Sequence, residues 1–297
     1  MAYYFVKLLS YTVCFLPAGI SRKLGDWLGE LCWPLVPKKR RKMAISNAMR
    51  SLDLDEATAY RLVKQSAVRF GRIFMEVLRF PRLNKNNINR YVAMQGRHYL
   101  DEALSHGRGV ILIGGHSGNW EILGQALALN GYPFVGIPQK QTNAAMDKFI
   151  NEYRKLSGMR LAYKTDVREM IRLMDQGGMI GLMLDQDAKE KGVAVSFFGR
   201  PATAAPGAAV LARMRNAPIV PIFITEQPEG THTILIHPVI WANKTQDKDE
   251  DISITTQQLT IIIENHIRQY PHEWFWLHDR WKTTPQEKCE VVKRETG

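Results

Sequence analysis

From residue 109 onward, apolar runs of strand length alternate with stretches of helical period, and few architectures accept that order. GVILIGG (109–115) is continuously apolar, NWEILGQALALN (119–130) is helical in pattern, and YPFVGIP (132–138) is again strand-like. A helix is expected from Asn143 to Ser157, with Gly158 closing it. MRLAY (159–163) follows as a short strand. TDVREMIRLMDQGG (165–178) opens on an Asp166-x-x-Glu169 capping pattern and ends in two glycines. MIGLMLDQD (179–187) and APIVPIFIT (217–225) are two more apolar runs, separated by the helical GAAVLARMRNA (207–217). THTILIHPVI (231–240) adds a strand, and SITTQQLTIIIENHIRQY (253–270) a last long helix. Strands apolar on both faces, interleaved with helices, imply an α/β fold with a largely parallel central sheet flanked by helices.

Ligands of such folds gather at the carboxyl ends of the strands. His116 follows GVILIGG, and Asp185 and Asp187 close MIGLMLDQD, so these polar groups emerge at that end. His116 and Glu121 are five residues apart, which on one unbroken helix turns them roughly 140° from each other. Gly114, Gly115 and Gly118 allow a bend between them, and Asn119 can cap a helix beginning at Trp120. His116 then lies in the loop and Glu121 in the first helical turn. That geometry lets a carboxylate hold one imidazole nitrogen while the other accepts a proton. Ser117 is given no nucleophilic role. The plainer reading is a structural histidine beside a glutamate that serves the helix dipole.

Before residue 109 the chain reads differently. Residues 43–80 form helices, with Asp53 or Asp55 as a cap and Phe70, Phe74 and Val77 on one stripe. The first twenty residues are rich in aromatic and aliphatic side chains, but Lys7 and Pro17 interrupt them, short of a confident transmembrane run. A second apolar patch, WLGELCWPLVP, runs directly into KKRRK (38–42). Apolar anchor and basic cluster together suit an anionic membrane surface; a core helix followed by a solvated loop is the alternative. The chain is accordingly divided into a membrane-associating segment, 1–42, and an α/β domain, 43–297. The formal net charge of +11 fits an anionic partner, or serves solubility alone.

Other signals exclude more than they suggest. Cys14, Cys32 and Cys289 lie far apart without metal or disulfide spacing, as in a reducing compartment. His272 and His278 lack zinc-protease spacing, and no phosphate-binding glycine loop or dinucleotide fingerprint occurs. Basic charge without a recognition motif gives no ground for nucleic acid as a partner. Trp274, Trp276 and Trp281 read as packing residues.

GHSGNWE, with H-x-x-x-x-E, resembles the catalytic motif of the lysophospholipid acyltransferase superfamily, and in finer pattern its bacterial lipid A late acyltransferases. KGVAVSFFGRPATAAPGAAVLARMRNAPIVPIFI, the acidic turn DQD and the closing HEWFWLHDRWK resemble further blocks of that family, over residues 40 to 282. The resemblance implies a glycerolipid-acyltransferase-like fold, with His116 as general base and Glu121 as its orienting partner. It places Arg154 and Asp185 at positions important for activity. It assigns substrate binding to both, with Asn119 and Arg200; Gly199 and Pro201 flank Arg200 near an anionic headgroup or carrier. One departure stands out, because the family usually has an arginine and a proline shortly before Asn143, where this chain has Gln139 and Lys140.

The implied reaction moves a fatty acyl chain from an acyl carrier protein thioester to a hydroxyl of a phosphorylated lipid A precursor. The implied place is the cytoplasmic face of a bacterial inner membrane, with no metal or organic cofactor. Its rivals are an acyltransferase for another glycolipid or a lysophospholipid, a catalytically silent membrane-binding protein of the same fold, and a metal-dependent hydrolase.

Overall fold

The computed structural model describes residues 2–163, 165–283 and 285; Cys289 lies outside them. Four helices open the chain: α1 (Ala2–Phe15), α2 (Ala18–Cys32), α3 (Lys38–Leu52) and α4 (Glu56–Leu78). A single turn, α5 (Ile88–Tyr91), leads into β1 (Val92–Gln95) and α6 (Arg97–Ser105). The alternating part follows as β2 (Val110–Gly114), α7 (Trp120–Leu129), β3 (Phe134–Gly136), α8 (Ala144–Lys155), β4 (Arg160–Leu161), α9 (Val167–Asp175) and β5 (Met179–Met183). A hairpin of β6 (Val193–Phe197) and β7 (Arg200–Ala204) precedes α10 (Gly207–Arg215), β8 (Ile219–Glu226), β9 (His232–Ile236) and α11 (Lys248–Gln269).

Seven strands form one sheet in the order β1-β9-β8-β2-β5-β3-β4. Every pairing in it is parallel except β8 with β9. The α/β expectation of a largely parallel sheet therefore describes the fold, with an antiparallel turn at one side. Burial follows the strand period of two. Val110 and Leu112 enter one apolar cluster with Leu123 and Leu127 of α7, while Ile111 and Ile113 enter the other with Leu259 and Ile263 of α11. Helices thus cover both faces.

The local signals act where expected. Asp55, Asn119 and Asp166 each accept a backbone N–H of the first turn of α4, α7 and α9, at 3.0, 3.1 and 3.0 Å. Asp53 instead ends α3 in a left-handed conformation at φ 53°. The sequence pattern does not reveal β1 or the β6–β7 hairpin.

The N-terminal helices belong to the same body. Gly25 and Gly29 of α2 meet Gly71 of α4 so closely that a Cβ on Gly71 would lie 2.0 Å from the Gly25 carbonyl oxygen. The basic run Lys38–Lys42 forms the first turns of α3 and is not a linker, so the division drawn between 42 and 43 falls inside a helix. Among the described residues, no helix is long and apolar enough to cross a membrane.

Candidate active site

β2 and β5 are parallel neighbours, with Gly114 opposite Met183. Two residues further along each strand stand His116 and Asp185, brought together by register alone. The His116 backbone N–H donates to Asp185 Oδ2 at 2.9 Å, and His116 Nδ1 lies 2.8 Å from Asp185 Oδ1. Gly115 lets the carboxylate approach, since a Cβ there would already touch Asp185 Cβ and Cγ at 3.3 Å. Gly118 makes the bend, at φ 64°, where a Cβ would sit 1.9 Å from the Ile224 carbonyl oxygen.

The tryptophan-rich end of the chain clamps this loop. Trp274 Nε1 donates to Asp185 Oδ2 at 2.8 Å. The Gly118 N–H donates to the Glu273 carbonyl at 3.2 Å, and the Phe275 N–H to the His116 carbonyl at 3.0 Å. Trp274 and Trp276 are both fully buried. They pack, as the sequence suggests, but Trp274 also holds the carboxylate that holds the histidine. Nothing in the sequence flags that bond, because the two residues are 89 positions apart.

Asp185 is buried and its oxygens are taken by His116 and Trp274. Burial alone would raise its pKa, but the His116 charge and hydrogen bonds from His116 and Trp274 bring it below the ordinary carboxylate range. Burial likewise works against the charged form of His116. The Asp185 carboxylate, by charge and by hydrogen bond, outweighs that, with Glu121 adding a smaller pull, so the His116 pKa is raised. The ring also meets Trp120 edge-on at 5.1 Å between centroids.

Glu121 is placed differently from the expectation that it orients His116. Its carboxylate receives Arg154 in a two-pronged ion pair, Nε to Oε2 at 2.9 Å and Nη2 to Oε1 at 2.5 Å. Arg154, in the last turn of α8, also donates to Asn151 Oδ1 at 3.1 Å. The orienting carboxylate in this structure is Asp185. The physical reason lies in the sheet, because parallel register fixes the β2 and β5 loop residues side by side, whereas Glu121 faces α8.

The remaining expected site residues divide. Arg154 lines the same cavity as His116 and Glu121, a space of 370 Å³ that continues over Leu123, Gly124 and Phe134. Asp185 touches it only through His116. Asn119 is fully buried and spends its side chain on the Ile122 N–H and on Glu76, at 2.5 Å, so it builds the loop and touches no cavity. Arg200 lies elsewhere, bonded to Asn47 and Ser51 of α3 and stacked 3.4 Å over the Trp281 ring. Gly199 turns the hairpin at φ 67°, beside Pro201. Gln139 lines the cavity and Lys140 is exposed nearby, while Asn143 caps α8. Among the described residues, no three His, Cys, Asp or Glu side chains come together where they could hold a metal ion.

A histidine carrying a raised pKa, locked by a buried carboxylate at the wall of a largely apolar cavity, is suited to taking a proton from a hydroxyl. Comparison with known proteins gives the chemistry its class. The family described as bacterial lipid A biosynthesis acyltransferase matches residues 1–283. The chain belongs to that family. It is an acyltransferase. The lipid A biosynthesis lauroyltransferase of Escherichia coli is 24% identical over 93% of this chain and 90% of its own length. The phosphatidylinositol mannoside acyltransferase of Mycolicibacterium smegmatis is 25% identical over 74% of this chain and 72% of its own. Among solved structures, the 1-acyl-sn-glycerophosphate acyltransferase of Thermotoga maritima aligns with a TM-score of 0.38 and 11% identity, covering 87% of this chain and 99% of that one. So loose a likeness has no bearing on the site.

Proposed function

We propose that this acyltransferase carries a fatty acyl chain from an acyl carrier protein thioester to a hydroxyl of a phosphorylated lipid A precursor. The observation that carries the reading is the His116–Asp185 pair at the wall of the cavity. Asp185 holds Nδ1, and among the described residues His116 Nε2 has no hydrogen-bond partner. His116 Nε2 takes the acceptor hydroxyl's proton as its oxygen attacks the thioester carbonyl. On collapse the carbon–sulfur bond breaks, and His116 returns the proton to the departing thiolate. The backbone N–H groups of His116, Ser117 and Gly118 already donate within the protein. Side chains lining the cavity, Arg154 and Gln139 among them, are donors available to the oxyanion.

The Arg154–Glu121 pair is the polar wall of the cavity and orients the acceptor. Neither a metal nor an organic cofactor has a step in this scheme. The excess of positive charge suits both an acidic carrier protein and a phosphorylated acceptor.

Attachment to the cytoplasmic face of the inner membrane is part of the proposal. Tyr4, Phe5, Leu8, Tyr11 and Phe15 of α1 are exposed, as are Ile20, Leu24, Trp27 and Leu31 of α2. So much uncovered apolar surface on two adjacent helices calls for a partner. Lys38 to Lys42 sit in the first turns of α3 with no acid there, against the helix dipole, an arrangement that favours a nearby anionic surface.

The likeness to phosphatidylinositol mannoside acyltransferases supports a second reading, acylation of another glycolipid. The test is to give purified enzyme an acyl carrier protein thioester or an acyl coenzyme A with a lipid A precursor, a phosphatidylinositol mannoside or a lysophospholipid as acceptor. Product mass spectra should show acylated lipid A precursor. Transfer confined to a mannoside or lysophospholipid would overturn the first reading, and no transfer to any acceptor would overturn both.

A further inference from the structure

A second cavity, of 170 Å³, lies where α2 and α4 meet the start of β9, and four arginines line it: Arg22, Arg72, Arg79 and Arg82. Two of them are balanced. Arg22 pairs with Glu226 at 3.0 Å, and Arg72 with Glu226 at 3.1 Å and with Asp26. The acids on the wall are also engaged. Glu76 is held by His232 Nε2 at 2.9 Å and by Asn119, and Glu229 by the Thr231 hydroxyl at 2.7 Å.

Arg79 and Arg82 are different. Arg79 donates to the Val13 and Leu16 carbonyls, at 3.0 and 2.6 Å, and Arg82 to the Cys14 carbonyl. These acceptors are neutral, and among the described residues neither guanidinium forms an ion pair with a carboxylate. Burial, and then the charge of Arg82, depress the Arg79 pKa. Glu76 attracts Arg79 through space, but its carboxylate oxygens are held by His232 and Asn119. Two like charges thus stand at the cavity wall with no carboxylate bonded to either, an arrangement that an anion would relieve.

The surroundings indicate which anion. The carbonyls that position the arginines belong to the end of α1, whose Tyr11 and Phe15 are exposed. Ala18 and Gly19 at the start of α2 form part of the wall, followed by exposed Ile20 and Leu24. An apolar face bordering an arginine-lined cavity matches a lipid, with chains outside and phosphate within.

We propose that this cavity binds a phosphate group, that of a membrane lipid whose chains lie along α1. The site is separate from the His116 cavity and does not depend on the acceptor proposed above. Arginines that merely cap the end of α1 are the alternative, and they would show no dependence on phosphate.

The test uses the full chain. Thermal unfolding is followed with inorganic phosphate against chloride at equal ionic strength. Binding is then measured on vesicles of a neutral, phosphate-free glycolipid doped with either phosphatidic acid or oleate at matched surface charge. Phosphate should raise Tm, and because surface charge is matched, phosphatidic acid should be preferred over oleate through arginine–phosphate hydrogen bonds, by about fivefold for each arginine engaged. Arg82→Gln should lose both effects and Arg82→Lys should restore part of the preference; Arg82 is exposed and bonds only one carbonyl, so its replacement leaves the fold intact. Stabilisation by free phosphate without vesicle preference would keep the site and assign it a soluble phosphate. Absence of both effects in the wild-type chain, or their survival in Arg82→Gln, would overturn the proposal. Failure of acyl transfer to every acceptor would overturn the proposed function and leave this measurement standing.

Discussion

His116 is held through one nitrogen by a carboxylate that is itself held by Trp274, and four substitutions separate the residues' roles. His116→Ala should lower turnover about 10²–10⁴-fold, the usual scale of a general base, with the circular dichroism spectrum unchanged. Asp185→Asn should approach that loss, because an amide neither fixes the tautomer nor stabilises the imidazolium. It should also move the pH profile. A base must be unprotonated, so a raised His116 pKa puts the acid limb of kcat/KM above the ordinary histidine range of about 6.5. Removing the Asp185 charge lowers that pKa and moves the limb to lower pH; an unmoved limb would deny the pairing any part in catalysis. Glu121 and Arg154 form one unit. Glu121→Gln, Arg154→Gln and the double variant should therefore lose transfer to similar extents, whereas additive losses would mean that Glu121 acts on its own. GHSGNWE made His116 and Glu121 legible in the sequence, and DQD made Asp185 a site residue. Which carboxylate meets His116 depended on the β2–β5 register, and no spacing along the chain encodes that.

At the scale of elements, the helices and apolar strands were legible because their signals are local: a cap three residues from its N–H, a glycine stop, a run of Val and Ile. β1 escaped because four residues with alternate burial follow a polar, asparagine-rich stretch. The β6–β7 hairpin escaped because RPATA, with its proline, lacks an apolar pattern. The antiparallel direction of β9 escaped because pairing partners leave no mark on a strand's own sequence. The tight contact between α2 and α4 is another such feature. Gly71→Ala ought to stabilise an isolated helix by roughly 0.5–1 kcal/mol. Here its methyl would meet the Gly25 carbonyl oxygen at 2.0 Å, inside any tolerable contact, so α2 must shift. Overpacking of this kind costs about 1–3 kcal/mol. The variant should show a lowered Tm and faster proteolysis between α1 and α3. An unchanged Tm would mean that α2 is not held by this contact.

Over the whole molecule, apolar and basic surfaces meet at one end of the chain. α1 and α2 expose aromatic and aliphatic side chains, and α3 begins with five consecutive basic residues. With no described helix able to cross a bilayer, the proposed attachment is interfacial, and it should need both parts. A modest apolar anchor binds reversibly, and a basic cluster supplies the second signal, at about 1 kcal/mol per residue near an anionic surface. Replacing Lys38, Lys39, Arg40, Arg41 and Lys42 by glutamine should therefore release the enzyme from anionic vesicles. Wild-type binding should weaken as salt shortens the screening length to about 3 Å at 1 M. Transfer on detergent-dispersed substrate should persist, because these side chains line neither the His116 cavity nor its supporting loop. Arg41 lies 5.4 Å over the Trp33 ring and is lost in this variant, so the fold is followed by far-UV circular dichroism in the same samples. Loss of sedimentation with vesicles, an unchanged circular dichroism spectrum and retained micellar activity would together assign the cluster to attachment. Full sedimentation of the neutralised protein at every salt concentration would mean that the exposed face of α1 and α2 suffices without it.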